Sequence, residues 1–175
     1  TTNPEDSDLW IINEEFIYFR GSSEKTLSQI EIDGVRLFKD EFSVEEEKYL
    51  RSLGENRMLK RPDILLFPDE GKCIIIEFKS PSENASDHLT QIDSYANLIL
   101  NYSADRFPIR TFYGFLIGES IEPRDVLGRV SRYEHSYQFD YLFRPSEKVN
   151  GFDGRPDGSI YTEVIKYSTL LERAK

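Results

Sequence analysis

Three charged side chains, Asp63, Glu77 and Lys79, interrupt an otherwise apolar stretch, "RPDILLFPDEGKCIIIEFKSP", at residues 61–81. Carboxylates are costly to bury unless a positive charge shares their site. A divalent cation would supply that charge, and two carboxylates plus water are the hard oxygen ligands that suit Mg²⁺ or Mn²⁺. Zn²⁺ would want Cys or His ligands, and the two His of the chain stand far apart without Cys partners. Zinc is therefore not expected.

The elements that must position these side chains are two apolar strands, predicted at residues 63–67 and 73–78. The short loop Asp69-Glu70-Gly71 joins them, and a three-residue loop with its Gly in the left-handed conformation is a common hairpin connection. We therefore expect an antiparallel pair with a fixed register.

That register places the charged side chains together. Asp63 faces Glu77 across the pair, with Cβ atoms about 5 Å apart on one face. Two-residue alternation along the strand puts Lys79 on the same face as Glu77. The backbone carbonyl of Phe78 can add a further oxygen ligand for the cation.

Two carboxylates, a divalent cation and one lysine suit phosphodiester hydrolysis. The cation polarises a phosphoryl oxygen and lowers the pKa of a bound water. Lys79 can orient or activate that water and stabilise the negative charge that builds on phosphorus. The alternative is that Glu77 and Lys79 simply pair at a strand end, which is the commoner explanation of an isolated Glu-x-Lys. That alternative must also explain Asp63 after Pro62 and the apolar hairpin that holds all of them.

The same residues carry a family resemblance. Pro62-Asp63 followed by Glu77-Phe78-Lys79 resembles the signature of the PD-(D/E)XK nuclease superfamily, and Gln91 and Tyr95 in "QIDSY" match the QxxxY motif of its RecB-like branch. In that branch the Gln and Tyr help to hold the site and the substrate phosphate. The resemblance implies a restriction-endonuclease-like α/β core, with a mixed β-sheet flanked by helices. It also implies DNA as the substrate and Mg²⁺ as the cofactor, with Mn²⁺ able to substitute.

Many members of the superfamily add a metal ligand from a Glu on the first helix. Glu14 is the candidate here together with Glu15, and which of them points inward is left open, as is an ordinary solvated role for either. The flanking segments "DLWIINEEFIYF" and "EVIKYSTLLERAK" are similar to segments of bacterial antiphage defence proteins. These proteins include the Shedu-type nuclease domain and nuclease-like tails of proteins with an Hsp90-type ATP-binding domain.

Length and composition predict one globular domain over residues 1–175. The hydrophobic share of 38% allows a sizeable core, and no apolar run reaches the roughly 18 residues that a membrane span needs. One Cys cannot form an internal disulfide, which is typical of a reduced, cytoplasmic protein. The first residue is Thr and not Met, which is consistent either with a trimmed chain or with a domain excised from a longer protein.

The net charge of −10 argues against nucleic-acid binding by the whole surface. Residues 1–50 carry 13 acidic and 5 basic residues, whereas residues 51–175 carry 19 and 17. The segment "LRSLGENRMLKR" is locally basic, so it either meets a polyanion or forms a solvated face. Tyr133, Tyr137 and Tyr141 near two arginines form a second candidate surface, for base stacking, although aromatic residues are more often in the core.

Periodicity and turn signals predict the remaining elements. Helices are expected at 7–19, 43–53 (with Ser43 and Glu46 as a capping box), 85–101 and 123–135. Strands are expected in a hairpin within 27–42 and at 109–119 and 139–144, a loop at 147–159, and a strand running into a terminal helix at 160–175.

The function that we expect is a Mg²⁺-dependent DNA nuclease, acting as the effector module of an antiphage defence protein. Other domains or subunits, including a homo-oligomer, would supply much of the grip on DNA because the surface is acidic. The alternative is a catalytically silent nuclease-like domain used for nucleic-acid sensing or assembly.

Overall fold

Six strands form one mixed sheet in the computed structural model, which describes residues 26–52, 62–67, 71–129, 132–152, 154 and 156–175. The strand order is β3-β4-β5-β8-β7-β6. The strands are β1 (Glu31–Ile32), β2 (Val35–Arg36), β3 (Ile64–Leu66), β4 (Lys72–Phe78), β5 (Thr111–Gly118), β6 (Glu134–Ser136), β7 (Tyr141–Asn150) and β8 (Pro156–Lys166). The helices are α1 (Val44–Ser52), α2 (Leu89–Tyr102), α3 (Pro123–Arg129) and α4 (Tyr167–Arg173). This α/β architecture, a mixed sheet flanked by helices, is the predicted one and is compatible with a restriction-endonuclease-like core.

Three central strands run parallel, and this puts their carboxyl ends at one edge of the molecule. β5 pairs in parallel with β4 on one side and with β8 on the other. The long connection between β4 and β5 contains α2, as a parallel crossover requires. β3, β7 and β6 complete the sheet as antiparallel neighbours. In open α/β sheets, ligands bind outside the carboxyl ends of the parallel strands.

Both faces of the sheet are apolar, which explains why β4 and β5 have nearly continuous hydrophobic sequences. α2 packs on one face, where its buried residues meet Cys73 and Ile75 of β4. The opposite face carries a second cluster with Tyr167 and Leu170 of α4 packed against it. Members of that second cluster are Leu66, Ile74, Ile76, Phe115, Ile117 and Ile165. Because side chains two residues apart on a strand point the same way, Glu77 and Lys79 lie on the α2 face together with Ile75.

Two features fix the position of α2 on the sheet. A Cβ atom built on Gly114 of β5 would lie 2.5 Å from Ile92 Cγ2, so only Gly admits the helix this closely. The buried guanidinium of Arg144 donates to both carboxylate oxygens of Asp93 on α2, at 2.9 and 2.5 Å, and to Thr162 Oγ1 at 3.2 Å. Such a two-pronged ion pair fixes the rotation of the helix as well as its distance.

Several predicted elements are confirmed with small shifts of their ends. The β1–β2 hairpin turns through Asp33 and Gly34, both at positive φ. The capping box before α1 forms, because Ser43 N–H donates to Glu46 Oε2 and Glu46 N–H donates to Ser43 Oγ. The helix predicted at 85–101 begins as a 3₁₀ turn at Ala85–His88 and continues as α2.

Two predictions in the carboxyl-terminal half are wrong in part. The loop predicted at 147–159 is mostly strand, because β7 continues to Asn150 and β8 begins at Pro156. Only residues 151–155 connect the two strands, and Pro156, Asp157 and Gly158 already belong to β8. A Pro at the first position of a strand loses no pairing that the strand needs. The helix predicted at 123–135 ends at Arg129, and residues 134–136 form β6 instead.

Some predictions fall outside the described residues: the helix at 7–19, residues 53–61 of the basic segment and the first two loop residues of the β3–β4 hairpin. Gly71, the third loop residue, has a φ of +78°, as the predicted connection requires. Among the described helices, none is long and apolar enough to cross a membrane.

We predict that Gly114→Ala lowers the free energy of unfolding by about 1–3 kcal/mol, the usual cost of overpacking a tight core. The added methyl group would overlap Ile92, which is fully buried and cannot turn outward. Urea unfolding of the single and double variants measures the effect. Because Ile92→Ala removes the opposing carbon, Gly114→Ala should cost less in that background, and strictly additive losses would contradict the close approach.

Candidate active site at the end of strand β4

Asp63 and Glu77 meet where β3 begins and β4 ends. The β3–β4 register pairs Ile64 with Ile76, so the next pair along is Asp63 with Glu77, as predicted. The backbone N–H of Asp63 donates to Glu77 Oε1 at 3.2 Å, and the N–H of Phe78 donates to Asp63 Oδ2 at 2.7 Å. Two side-chain carboxylates thus accept backbone N–H groups at the end of the strand pair, and this holds both of them in place.

Lys79 joins the carboxylates to α2. Its Nζ lies 3.7 Å from Glu77 Oε2 and donates to Gln91 Oε1 at 3.1 Å. Gln91 Nε2 in turn donates to the hydroxyl of Tyr95 at 3.0 Å. Gln91 and Tyr95 lie one turn apart on α2, so they share the face that meets β4. The network runs from Tyr95 through Gln91 and Lys79 to Glu77.

The backbone around Lys79 is also fixed. Its N–H donates to Ile117 O at 2.8 Å, and its carbonyl accepts from the Tyr167 hydroxyl at 3.1 Å. A Cβ atom on Gly118 would lie 3.1 Å from Ala85 Cβ and 3.6 Å from Lys79 Cβ. Small residues at 85 and 118 therefore leave room for the lysine stem, whose side chain is only 11% exposed.

Burial dominates the electrostatics of Glu77, which is 2% exposed. Loss of solvent and the negative charge of Asp63 raise the pKa of Glu77 to about 7, against the opposing effects of the Asp63 N–H and of Lys79. Burial also raises the pKa of Tyr95 to about 12, with smaller contributions from the charges of Glu77 and Asp63. The Tyr95 phenol therefore keeps its proton at neutral pH. The carboxyl pair is short of positive charge, although Lys79 lies beside it.

The donor set fits a hard divalent cation better than a soft one. The available ligands are carboxylate oxygens. Mg²⁺ is usually bound by one or two protein carboxylates, and water and substrate phosphate complete its coordination shell. Nowhere in the described part of the chain do three His, Cys, Asp or Glu side chains converge as a metal-binding group. Glu14, the predicted third ligand, and Glu15 lie outside the described residues. The metal role of the Phe78 carbonyl stays a prediction.

The structure brings together the five side chains that the sequence singles out on β4, on α2 and before β3. Tyr167 is a site residue that the sequence did not reveal, because a Tyr at a strand-to-helix junction has no motif of its own. The proposed tyrosine surface does not form: Tyr133 is buried beneath Arg144, whereas Tyr137 is 84% exposed in the β6–β7 turn. The four-residue spacing would align these tyrosines only on a helix.

Comparison with known proteins adds no relative: no family model, no curated protein and no solved structure matches the chain. The residues of the site and their geometry are therefore the evidence for its chemistry.

We predict that the contribution of Glu77 to stability falls as the pH rises from about 4.5 to 7. The folded chain holds the Glu77 proton more tightly than the unfolded chain does, so the contribution of the neutral carboxyl is complete below the unfolded pKa and is lost as the pH passes the folded pKa of about 7. Glu77→Gln keeps the shape and stays neutral. It should therefore gain on the order of 1–3 kcal/mol relative to the wild type between these limits.

Urea unfolding of both proteins across this pH range measures the difference. Glu45→Gln, which removes one exposed carboxylate from α1, is the matched control for net charge. A wild-type–to–Glu77→Gln difference that stays constant with pH, or that follows Glu45→Gln, would show that the buried carboxyl does not hold the extra proton.

Proposed function

We propose that this domain is a divalent-metal-dependent nuclease that hydrolyses DNA phosphodiester bonds at the carboxyl end of β4. The observation that supports it most is the contact between Lys79 Nζ and Gln91 Oε1 beside the buried Glu77 and the half-buried Asp63. This contact unites the PD…ExK and QxxxY patterns, which lie on different elements, in one network. A chance pairing of Glu and Lys at a strand end would not require Gln91 and Tyr95 to complete it.

Lys79 is the residue that we assign to the reaction itself. Gln91 accepts one of its three N–H bonds and holds the ammonium over the carboxylates, so its remaining donors can meet a phosphate oxygen or a water. Positioned donors of this kind stabilise the negative charge that develops on phosphorus in the transition state. Tyr95, protonated and buried, fixes the amide of Gln91 and thereby the direction of Lys79.

Asp63 and Glu77 are the residues that would hold Mg²⁺ or Mn²⁺. Bound there, the cation would supply Lewis-acid polarisation of the phosphoryl group. The carboxyl pair needs such a partner, because burial and mutual repulsion make the doubly charged state costly without one. The backbone N–H groups that bind each carboxylate keep it in position before any ligand arrives.

The acidic surface bears on the partners of this domain. A net charge of −10 disfavours close approach to DNA except where positive charge is concentrated. We therefore propose that other domains or subunits, a homo-oligomer among them, deliver DNA to the site. The setting that we propose is a bacterial antiphage defence protein in the cytoplasm, with this domain as its effector.

The runner-up is a catalytically silent domain that keeps the same contacts for assembly or nucleic-acid sensing. The hydrogen bonds of Asp63 and Glu77 to the backbone favour it, because a strand-end clamp would make the same bonds without any reaction. Variants of Lys79 distinguish the two proposed functions. Hydrogen bonds that only hold the strand ends together do not need an ammonium group that can act on a phosphate.

We predict that Lys79→Ala lowers the rate of Mg²⁺-dependent nicking of supercoiled plasmid by on the order of 10²-fold or more, the usual effect of losing one positioned donor. Lys79→Arg keeps the charge but not its geometry and should restore only part of the rate. Lys148→Ala, on β7, controls for the loss of one positive charge away from the site. Melting curves show whether each variant is folded, and a folded Lys79→Ala protein that cleaves at the wild-type rate would end the assignment.

We also predict that millimolar Mg²⁺ or Mn²⁺ raises the melting temperature, because the cation binds the folded site and not the unfolded chain. Asp63→Asn and Glu77→Gln should each lose most of this shift, whereas Glu45→Gln should keep it. A shift that is identical in all four proteins would place the cation elsewhere.

A further inference from the structure

Phe78 is an unusual end to a buried strand. Residues 73–77 of β4 are all buried, yet the Phe78 side chain is 40% exposed. Its ring lies parallel to the ring of Tyr167, with an angle of 5° between the planes and 6.4 Å between the centroids. Aromatic rings left in contact with water favour flat ligands that can stack on them. Phe78 and Tyr167 are called the aromatic pair below.

The aromatic pair is tied directly to the candidate active site. Phe78 donates its N–H to Asp63 Oδ2 at 2.7 Å, and the Tyr167 hydroxyl donates to the carbonyl of Lys79 at 3.1 Å. Burial and then the negative charge of Asp63 raise the pKa of Tyr167, which places its hydroxyl within the field of that carboxylate. The backbone of Phe78 and the side chain of Tyr167 are therefore each joined to a residue of the site by a hydrogen bond.

The two faces of β4 separate the charged groups from the rings. Glu77 and Lys79 point to the α2 face, and Phe78 points to the opposite face, where it meets α4. A nucleic-acid strand that crosses the end of β4 would therefore present a phosphate to one face and a neighbouring base to the other. A base in a duplex is already stacked and paired on its strand, so only an unpaired base has a face to offer.

We propose that the aromatic pair stacks one unpaired nucleobase next to the phosphate at the site, so that the preferred substrate is single-stranded or locally unpaired nucleic acid. This substrate class rests on the nuclease activity proposed above. The stacking itself needs no sequence preference, because every base has a π-face.

Binding of fluorescein-labelled oligo(dT) by the full chain, measured by anisotropy in the Lys79→Ala background with Mg²⁺ present, tests the proposal. Phe78→Leu should weaken oligo(dT) binding roughly 5- to 150-fold, which corresponds to about 1–3 kcal/mol for one stacked base. Phe78→Trp should retain the affinity. Tyr137→Leu, which alters an aromatic residue that is 84% exposed in the β6–β7 turn, should change nothing. An abasic strand of the same length and a duplex are the comparison ligands. For each of them, the affinity of the Phe78→Leu variant should equal that of the Lys79→Ala protein from which it is made.

Unchanged oligo(dT) affinity in a folded Phe78→Leu protein would overturn the proposal. So would an equal loss for oligo(dT) and the abasic strand, because the ring would then act on the backbone and not on a base. Failure of the nuclease proposal has a different signature. In that case oligo(dT) binding stays dependent on Phe78, but no Mg²⁺-dependent cleavage by the wild-type chain accompanies it, and the stacking site holds as part of a binding module.

Discussion

The burial of Glu77 is the constraint on which the rest of the site depends. A carboxyl that is 2% exposed loses nearly all of its hydration, and Asp63 adds a second negative charge beside it. The Asp63 N–H and the Lys79 ammonium offset only part of this cost, since the pKa of Glu77 still rises to about 7. Without a further positive charge, the neutral form of Glu77 is therefore favoured below a pH of about 7. Among the described residues, the nearest positive charge is that of Lys79, which a hydrogen-bond network through Gln91 and Tyr95 holds beside Glu77.

The site in turn depends on how α2 sits against the sheet. Gln91 reaches Lys79 only because Gly114 lets Ile92 approach β5, and because Arg144 binds Asp93 and sets the rotation of the helix. Breaking such a buried ion pair by removing one partner leaves an uncompensated charge and is strongly destabilising. The side chains that pack α2 and those that orient Lys79 alternate along one helix. The position of α2 therefore sets the position of Gln91, which accepts a hydrogen bond from Lys79.

The sequence predicted the site better than it predicted the periphery, for physical reasons. Asp63, Glu77 and Lys79 sit on a two-stranded hairpin whose register follows from its short loop and its alternation, both of which are local. Gln91 and Tyr95 were singled out by their resemblance to the QxxxY motif, and helical spacing, which is also local, places them on one face. Tyr167 and Arg144 reach their partners across 88 and 51 residues, and no local pattern announces such contacts. The same limit explains the wrong loop at 147–159: its Gly, Pro and Asp residues resemble a long loop, but pairing between β7 and β8 extends the strands to within a few residues of the turn.

Isotope incorporation can follow the hydrolysis of a phosphodiester bond by water that we propose for this site. An oligonucleotide is incubated with the full chain and Mg²⁺ in ¹⁸O-labelled water, and the products are weighed by mass spectrometry. The products should be one strand whose terminal phosphate carries one ¹⁸O atom and one strand with an unlabelled terminal hydroxyl. Their formation should be strongly reduced in Lys79→Ala and absent when EDTA removes the metal. Unlabelled product phosphates, or labelled product formed equally well by Lys79→Ala, would contradict the proposal.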